Sequence, residues 1–270
     1  MAKSSPLVPA LGKKVHLSDY DPADKGKYKR ESDVTAILAN DLTRLQTLQE
    51  VLYASSTRSL LVILQAIDAG GKDGAIKHVF QGVNPQGVNV TSFKQPTAEQ
   101  LAHDFLWRIH PNVPAKGFIG VFNRSYYEDV LVVRVHKLAE KKVWKAHYDQ
   151  INEFEALLTA SGTTILKFFL YISRDEQKKR FQARLDDPEK RWKFAPGDLD
   201  ERALWNEYVE ADEDMLTKCN TEVAPWHIVP ANHKWYRNLV VTQTIIDALE
   251  AMDLKYPDPI KDIDKIVIPD

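Results

Sequence analysis

The stretch that most constrains the fold is residues 58–84, RSLLVILQAIDAGGKDGAIKHVFQGVN. It opens with an apolar run at 60–64 that is typical of a buried β-strand, and a Gly-rich turn follows at 68–74. After the turn, apolar side chains recur at i, i+3, i+4 and i+7, which predicts one buried face of a helix. These side chains are Ile76, Val79, Phe80 and Val83. A strand, a Gly-Lys loop and a helix in this order indicate a phosphate-binding loop.

The glycines of this turn are Gly70, Gly71 and Gly74. They allow positive φ angles and a close approach of the backbone to a ligand. The amide N–H groups of the loop and the N-terminus of the helix would then face an anion. Lys72 brings a mobile positive charge to the same place, so the turn is a candidate phosphate site.

Two features of the turn differ from the usual pattern G-x-x-x-x-G-K-[ST]. Ala66 stands at the first glycine position and Asp73 at the Ser/Thr position. Asp68 and Asp73 also place carboxylates beside a site for anions, which is consistent with a divalent cation bridging to phosphate oxygens. The alternative is a Gly-rich surface turn in which Asp73 is a favourable charge in the first helical turn.

Length and composition set further limits. The 270 residues suffice for one large domain or two small ones, and the net charge of −2 gives no general attraction to nucleic acids or membranes. Cys219 is the single cysteine, which excludes an internal disulfide framework and a Cys-rich metal site. There is no apolar run of membrane-spanning length and no signal-peptide core, so we expect a cytoplasmic protein.

The remaining pattern predicts one α/β domain with a mostly parallel, five-stranded sheet covered by helices on both faces. We expect an N-terminal arm at 1–30 and a surface tail at 256–270. The predicted strands are 60–64, 88–93, 117–122, 164–172 and 226–229. The predicted helices are 32–54, 97–109, one after Asp129, 143–160, one from 174, 200–219 and 234–252. Ligands of such sheets bind at the carboxyl ends of the strands.

A second motif, FNRSYYED, follows the third predicted strand. Asp129 is our candidate metal ligand with Glu128 beside it, because many phosphate-loop enzymes hold their metal with a carboxylate just past a buried strand. Arg124 is suited to bidentate contact with phosphate oxygens. The alternative is a capping box between Ser125 and Glu128, with Asp129 as a charge in the first turn.

A third motif, RDEQKKRFQARLDDPEKRWKF, covers residues 174–194. Arg180 and Arg184 are four residues apart and share one helix face, and Arg191 and Lys193 follow. Arginines on a closing lid, here residues 174–200, stabilise negative charge during phosphoryl transfer. The alternative is a solvated amphipathic helix, which is the common role of a charge run.

Together, DAGGKDG, FNRSYYEDVLV and KKRFQARLDDPEKRWKF resemble the polyphosphate kinase 2 family, over about residues 30–255. The resemblance implies a three-layer α/β/α sandwich, a P-loop kinase core similar to thymidylate kinase, with a helical lid. It implies transfer of a terminal phosphoryl group between inorganic polyphosphate and a nucleotide, with Mg²⁺ or Mn²⁺ as cofactor. The pair Glu128-Asp129 is similar to the subgroup that phosphorylates both AMP and ADP.

The resemblance also implies roles for particular residues. Asp68 and Asp129 would hold the metals, and Lys72 would contact the transferring phosphate. Arg124, Arg180 and Arg184 would bind phosphates. The expected substrate-binding residues are Gly70, Gly71, Lys72, Asp73, Gly74, Lys77, Asn123, Arg124, Glu128, Arg191 and Lys193. Further candidates for a polyphosphate channel, which the sequence does not rank, are Lys77, Lys94, Arg108 and Arg237.

Three hypotheses for the function follow. The first is a polyphosphate-dependent nucleotide kinase acting on adenine nucleotides, with guanine nucleotides left open, and without nucleic-acid or membrane partners. The second is an ATP-dependent nucleoside monophosphate kinase on the same fold. The third is a non-catalytic nucleotide or polyanion-binding protein. Relatives often form dimers or tetramers, so we also expect a homo-oligomer.

Overall fold

The computed structural model describes residues 8–269, so residues 1–7 of the predicted arm and residue 270 of the predicted tail lie outside the described chain. Five strands of this range form one sheet in the order β2-β3-β1-β4-β5, and every neighbouring pair is parallel. The strands are β1 Ser59–Gln65, β2 Val88–Ser92, β3 Ile119–Asn123, β4 Thr163–Tyr171 and β5 Trp226–Pro230. The predicted parallel α/β architecture is confirmed.

The α-helices of the described range alternate with these strands. The longer ones are α1 Thr35–Ser55, α2 Lys72–Val79, α5 Lys141–Ala160, α6 Arg174–Asp186, α8 Trp205–Lys218 and α9 Lys234–Ala251. The shorter ones are α3 Ala98–Leu101, α4 Val132–Val135 and α7 Gly197–Ala203. Within residues 8–269, no helix has the length and apolar character needed to span a membrane.

Strand β1 lies at the centre of the sheet and is buried along its whole length. Its side chains alternate between the two faces. Leu60 and Val62 pack with apolar residues of α1, α2 and α9, whereas Leu61 and Ile63 pack with apolar residues of α5 and α8. A strand buried on both faces has the continuous apolar sequence that identified it. This is the predicted three-layer sandwich, and it presents the carboxyl end of β1 at the middle of one sheet edge.

The prediction of a helix over 97–109 is wrong. Only α3, four residues long, forms there, and it begins at the expected capping box between Thr97 and Gln100. The helix ends early because the Asp104 carboxylate accepts the N–H of Leu106 at 3.0 Å. Such local bonds from Asp to the backbone compete with helix formation.

The helix predicted after Asp129 is also different in the structure. A 3₁₀ turn, Tyr126–Asp129, comes first, and the single-turn helix α4 starts only at Val132. Ser125 Oγ accepts the N–H of Tyr127 at 3.2 Å, and the Glu128 carboxylate binds Arg124. The alternative of a Ser125–Glu128 capping box is therefore wrong. The helix predicted over 200–219 is divided at Leu204 into α7 and α8.

Candidate active site

The three motifs meet at the carboxyl edge of the sheet around a cavity of about 800 Å³. The phosphate loop, residues 68–74, forms one wall, and the ends of β2 and β3 continue it. Helix α6, the segment after it and the start of α9 form the opposite side. Among the described residues that line the cavity, ten are Lys or Arg and four are Asp or Glu. An excess of this size in a concave site favours a polyanionic ligand.

The backbone of the phosphate loop needs its glycines. Gly71 has φ +101°, and Ala69, two residues earlier, also has a positive φ, +60°. A Cβ atom on Gly70 would collide with the side chain of Ala66, and one on Gly71 would collide with the guanidinium of Arg237. Only glycine fits both positions, so the loop keeps the shape that a larger residue would disrupt.

Lys72 is the first residue of α2 and is only 8% exposed. Its Nζ donates a hydrogen bond to the carbonyl of Ala66 at 2.8 Å, which holds the ammonium at the base of the loop. Burial and, to a smaller extent, the charge of Arg124 lower the pKa of Lys72 from 10.5 to about 8, although the nearby carboxylates act in the opposite direction. A bound polyanion would favour the charged form.

Arg124 connects the second motif to the phosphate loop. Its Nη2 contacts Asp68 Oδ1 at 2.5 Å and its Nη1 contacts Glu128 Oε2 at 2.9 Å. Gln65 Nε2 donates to the other oxygen of Glu128 at 3.1 Å. The Glu128 carboxylate, ahead of Asp68, raises the pKa of Arg124 above its ordinary value. Two carboxylates are thus held at a fixed separation by one guanidinium.

Asn123 joins the end of β3 to the first turn of α2. Its Nδ2 donates to Asp73 Oδ1 at 2.6 Å, and both residues line the cavity. Asp73 therefore contacts the second motif as well as lying in the first turn of α2. This bond sets the distance between the phosphate loop and the β3 end, where the two predicted motifs meet.

Asp129 lies elsewhere. It lines a separate cavity of about 750 Å³, together with Phe105, Arg108 and His147. Burial raises the pKa of Asp129 to about 7, although Arg108 acts in the opposite direction. Glu128 is not a lining residue of either cavity, but it is the one of the two neighbouring acids that is linked to Asp68 through Arg124. Among residues 8–269 there is no group of three or more His, Cys, Asp or Glu placed to hold a metal ion.

Arg180 supports the phosphate loop from behind. Its Nη1 donates to the carbonyls of Ala69 at 2.9 Å and Gly70 at 3.0 Å, and its Nη2 donates to the carbonyl of Ala231 at 2.5 Å. Its Nε pairs with Glu176 at 2.8 Å. With its donors engaged in this way, Arg180 fixes the loop in this structure, although it borders the cavity.

The segment predicted to form a lid, residues 174–200, contributes further charges to the cavity. Arg184 lines the cavity and lies 3.6 Å from Asp198, and Lys193 lines it too. Arg191 instead donates to the carbonyl of Leu185 at 2.8 Å. Neither Arg191 nor Lys77 is among the described residues lining this cavity. The structure therefore brings Arg184 and Lys193 to the predicted site and leaves these two outside it.

The sequence model of the family described as "Polyphosphate kinase 2 (PPK2)" matches residues 27–257. The chain belongs to the polyphosphate kinase 2 family. It is 51% identical over 254 residues to an AMP/ADP-polyphosphate phosphotransferase of Meiothermus ruber, covering 93% of this chain and 95% of the relative. It is 45% identical to an ADP-polyphosphate phosphotransferase of Rhodopseudomonas palustris, over 92% and 90% of the two chains.

The fold comparison agrees. The crystal structure of polyphosphate kinase 2 from Arthrobacter aurescens TC1 superposes with a TM-score of 0.91 at 45% identity, covering 97% of each chain. At this similarity the α/β/α architecture of this polyphosphate kinase 2 chain is shared throughout. The resemblance inferred from the three motifs is confirmed.

Several cavity residues of this polyphosphate kinase 2 chain were missed or left unranked by sequence reasoning. Lys179, Lys190 and Lys234 line the cavity, and Lys94 does so as well. Arg237, at 1% exposure, donates to the Gly71 carbonyl at 3.1 Å, and burial lowers its pKa to about 10. Lys234 is the first residue of α9 and follows the end of β5 by four positions, so its place near a sheet edge that binds ligands was the signal available for it.

Proposed function

We propose that the chain is a polyphosphate:nucleotide phosphotransferase that transfers the terminal phosphoryl group of inorganic polyphosphate to AMP and ADP. The observation that carries this proposal is the phosphate loop forming one wall of a cavity that ten cationic side chains of the described residues line. A nucleoside triphosphate alone does not require a surface this basic, whereas a long polyanion does. The relative from Meiothermus ruber, named for AMP and ADP, supports the same assignment.

The reaction exchanges one phosphoanhydride for another. An oxygen of the AMP α-phosphate, or of the ADP β-phosphate, forms a bond to the terminal phosphorus of polyphosphate. The bond from that phosphorus to the bridging oxygen breaks, and the shortened polyphosphate keeps the electron pair. The acceptor oxygen is already ionised, so no protein base is needed. Positioning and charge neutralisation supply the rate.

The residues divide this work by their placement. Loop amides and Lys72 bind the phosphate chain at the N-terminus of α2, where the helix dipole favours an anion. Lid cations, Arg184 and Lys193 among them, neutralise the chain along its length. Arg124 orients the acceptor and the transferring group from the β3 side. Arg180 and Arg237 keep the loop carbonyls fixed rather than binding phosphate directly.

The site fits a divalent cation. Mg²⁺ is usually held by one or two carboxylates together with substrate phosphates, so a group of three protein ligands is not required. We propose that Asp68 and Glu128, whose carboxylates are fixed by Arg124, hold Mg²⁺ or Mn²⁺. When bound, the ion neutralises charge on the transferring phosphoryl group. Asp129 remains a second candidate, facing the neighbouring cavity.

The experiment is a matrix of donors and acceptors. We expect ADP and then ATP from AMP with polyphosphate and Mg²⁺, and ATP from ADP. If polyphosphate phosphorylated ADP but not AMP, polyphosphate would remain the donor and AMP would not be an acceptor. ADP formed from ATP and AMP without polyphosphate would favour the nucleoside monophosphate kinase instead. Ligand binding without any product would favour the non-catalytic alternative. Acceptance of guanine nucleotides and assembly into a dimer or tetramer stay predictions.

The pKa of Lys72 predicts a pH dependence. Because burial lowers that pKa to about 8, the ammonium of the free enzyme loses its proton as the pH rises through 8. We expect kcat/KM for polyphosphate, which reports the free enzyme, to fall above about pH 8. Lys72→Arg keeps its charge and should lose this decrease, at a lower absolute rate. A wild-type profile that stays flat to pH 10 would contradict the assignment.

A further inference from the structure

A fully buried charged cluster lies behind the second motif. Glu155 of α5 and Lys167 of β4 are both 0% exposed, and Lys167 Nζ contacts Glu155 Oε2 at 2.6 Å. Lys167 Nζ also donates to the carbonyl of Cys219, the residue that follows α8, at 2.6 Å. The pair therefore links two helices to the central sheet without touching the cavity.

Two neighbouring tyrosines of the motif end on the same carboxylate. The hydroxyls of Tyr126 and Tyr127 each donate to Glu155 Oε1 at 2.7 Å, and Lys167 Nζ donates to the hydroxyl of Tyr127 at 2.8 Å. Both tyrosines are 0% exposed. Burial, and then the charge of Glu155, raises the pKa of both hydroxyls well above 10, so they remain donors. We name these four residues the Glu155 cluster.

Stability alone does not account for the Glu155 cluster. The free energy needed to remove two charges from water often exceeds the free energy gained from their attraction. A protein with apolar residues of similar volume in such places is often as stable or more stable. The ring of Trp226, which is itself buried, lies 5.1 Å from Lys167 Nζ, so the cluster is enclosed by the core rather than by water. A cluster that is costly in such surroundings needs a role that apolar packing does not fulfil.

That role is visible in the segment the tyrosines belong to. They lie in a 3₁₀ turn of four residues that also contains Glu128 and begins two positions after Arg124. Short 3₁₀ segments have poorer hydrogen-bond geometry than α-helices, and Arg124 has a positive φ of +62°. The turn thus lacks regular secondary structure to hold it, and the two tyrosyl hydroxyls attach it to the core.

We infer that Glu155, supported by Lys167, is a positioning residue. By holding Tyr126 and Tyr127, it fixes the turn that aims Arg124 and Glu128 at Asp68. The kinetic consequence rests on the proposed function, but the positional consequence does not. Misplacement of a catalytic group by about 1 Å lowers turnover by up to about 100-fold. Loosening the turn should therefore lower kcat and leave the contacts of polyphosphate with the predicted lid and the phosphate loop unchanged.

The test is the double variant Tyr126→Phe/Tyr127→Phe, which removes both hydroxyls and keeps the Glu155–Lys167 pair. We expect kcat to fall by about tenfold or more, with KM for polyphosphate within about twofold of wild type. Tyr148→Phe is the matched control. Tyr148 lies on α5 and is buried like the two tyrosines of the turn, but its hydroxyl contacts Arg134 rather than Glu155. A double variant with wild-type kcat would overturn the inference.

Backbone hydrogen exchange measures the mobility of the turn without requiring enzymatic activity. In the double variant, the backbone amides of residues 124–129 should exchange at least about tenfold faster than in wild type, with the sheet amides unchanged. Unchanged exchange in this segment would contradict the inference even if kcat fell. If the wild-type protein transferred no phosphoryl group, the proposed function would fail, and the exchange comparison would still decide the role of the cluster.

A second variant separates an effect on the position of the turn from an effect on the stability of the protein. Glu155→Leu and Lys167→Met, added to the two Phe substitutions, make the whole cluster apolar and remove the buried polar side chains together. Such replacements commonly preserve stability, so we expect a Tm at or above that of wild type together with a lowered kcat. A stable variant with wild-type kcat would show that the cluster has no positioning role.

Discussion

Lys72→Ala should lower kcat/KM for polyphosphate by about 10²–10³-fold, the usual effect of removing one preorganised charge from a reacting centre. Lys72 is the loop cation, and its Nζ lies at the base of the loop on the Ala66 carbonyl. A polyanion that enters the cavity meets this charge at the N-terminus of α2. Steady-state rates of ADP formation at several polyphosphate concentrations would measure the loss.

The matched control is Lys145→Ala, which removes an exposed lysine of α5. It should keep wild-type rates, and the circular dichroism and Tm of both variants should show a folded protein. A folded Lys72→Ala enzyme with kcat/KM within a few-fold of the control would remove Lys72 from the site. Rates that fall equally in both variants would indicate a general effect of net charge.

Asp68→Asn should lower turnover by more than about 100-fold, the upper end of the losses seen for groups that merely support a metal site. The carboxylate contacts Arg124 at 2.5 Å and is a proposed ligand of the divalent cation. The amide keeps the shape but loses the charge. We therefore also expect a higher Mg²⁺ concentration for half-maximal rate, measured by titration.

Asp129→Asn provides the contrast. Because Asp129 lines the neighbouring cavity, its substitution should leave the Mg²⁺ requirement close to that of wild type. Asp149→Asn, an exposed substitution on α5, is the control for the chemical change. If Asp129→Asn raised the Mg²⁺ requirement and Asp68→Asn did not, the metal would belong to Asp129, as the motif position alone suggests.

The sequence identified the elements whose signals are local. The phosphate loop was predictable because glycines, a lysine and a following helix lie within one short stretch, and the central strands because they are continuous apolar runs. The length of the helix that starts at 97 was not predictable, because the helix ends early where the Asp104 side chain accepts a backbone N–H. Apolar spacing carries no information about that competition.

The site was predictable as a set of motifs but less so as a geometry. Sequence reasoning expected Arg180 to bind phosphate, whereas its donors reach the carbonyls of the loop and of Ala231. It favoured Asp129 as the carboxylate that follows a buried strand, although Glu128 follows the same strand. Which of two adjacent acids faces the loop depends on a 3₁₀ turn, and the tyrosyl contacts that fix this turn come from α5.

The most direct measurement of polyphosphate as the donor is transfer of label from ³²P-polyphosphate to unlabelled AMP in the absence of any nucleoside triphosphate. We predict labelled ADP and then labelled ATP, with a rate that depends on Mg²⁺ and falls sharply in Lys72→Ala and Asp68→Asn. If the label stayed entirely in polyphosphate while unlabelled ATP phosphorylated AMP, polyphosphate would not be the donor, and the proposed phosphotransferase activity would be contradicted.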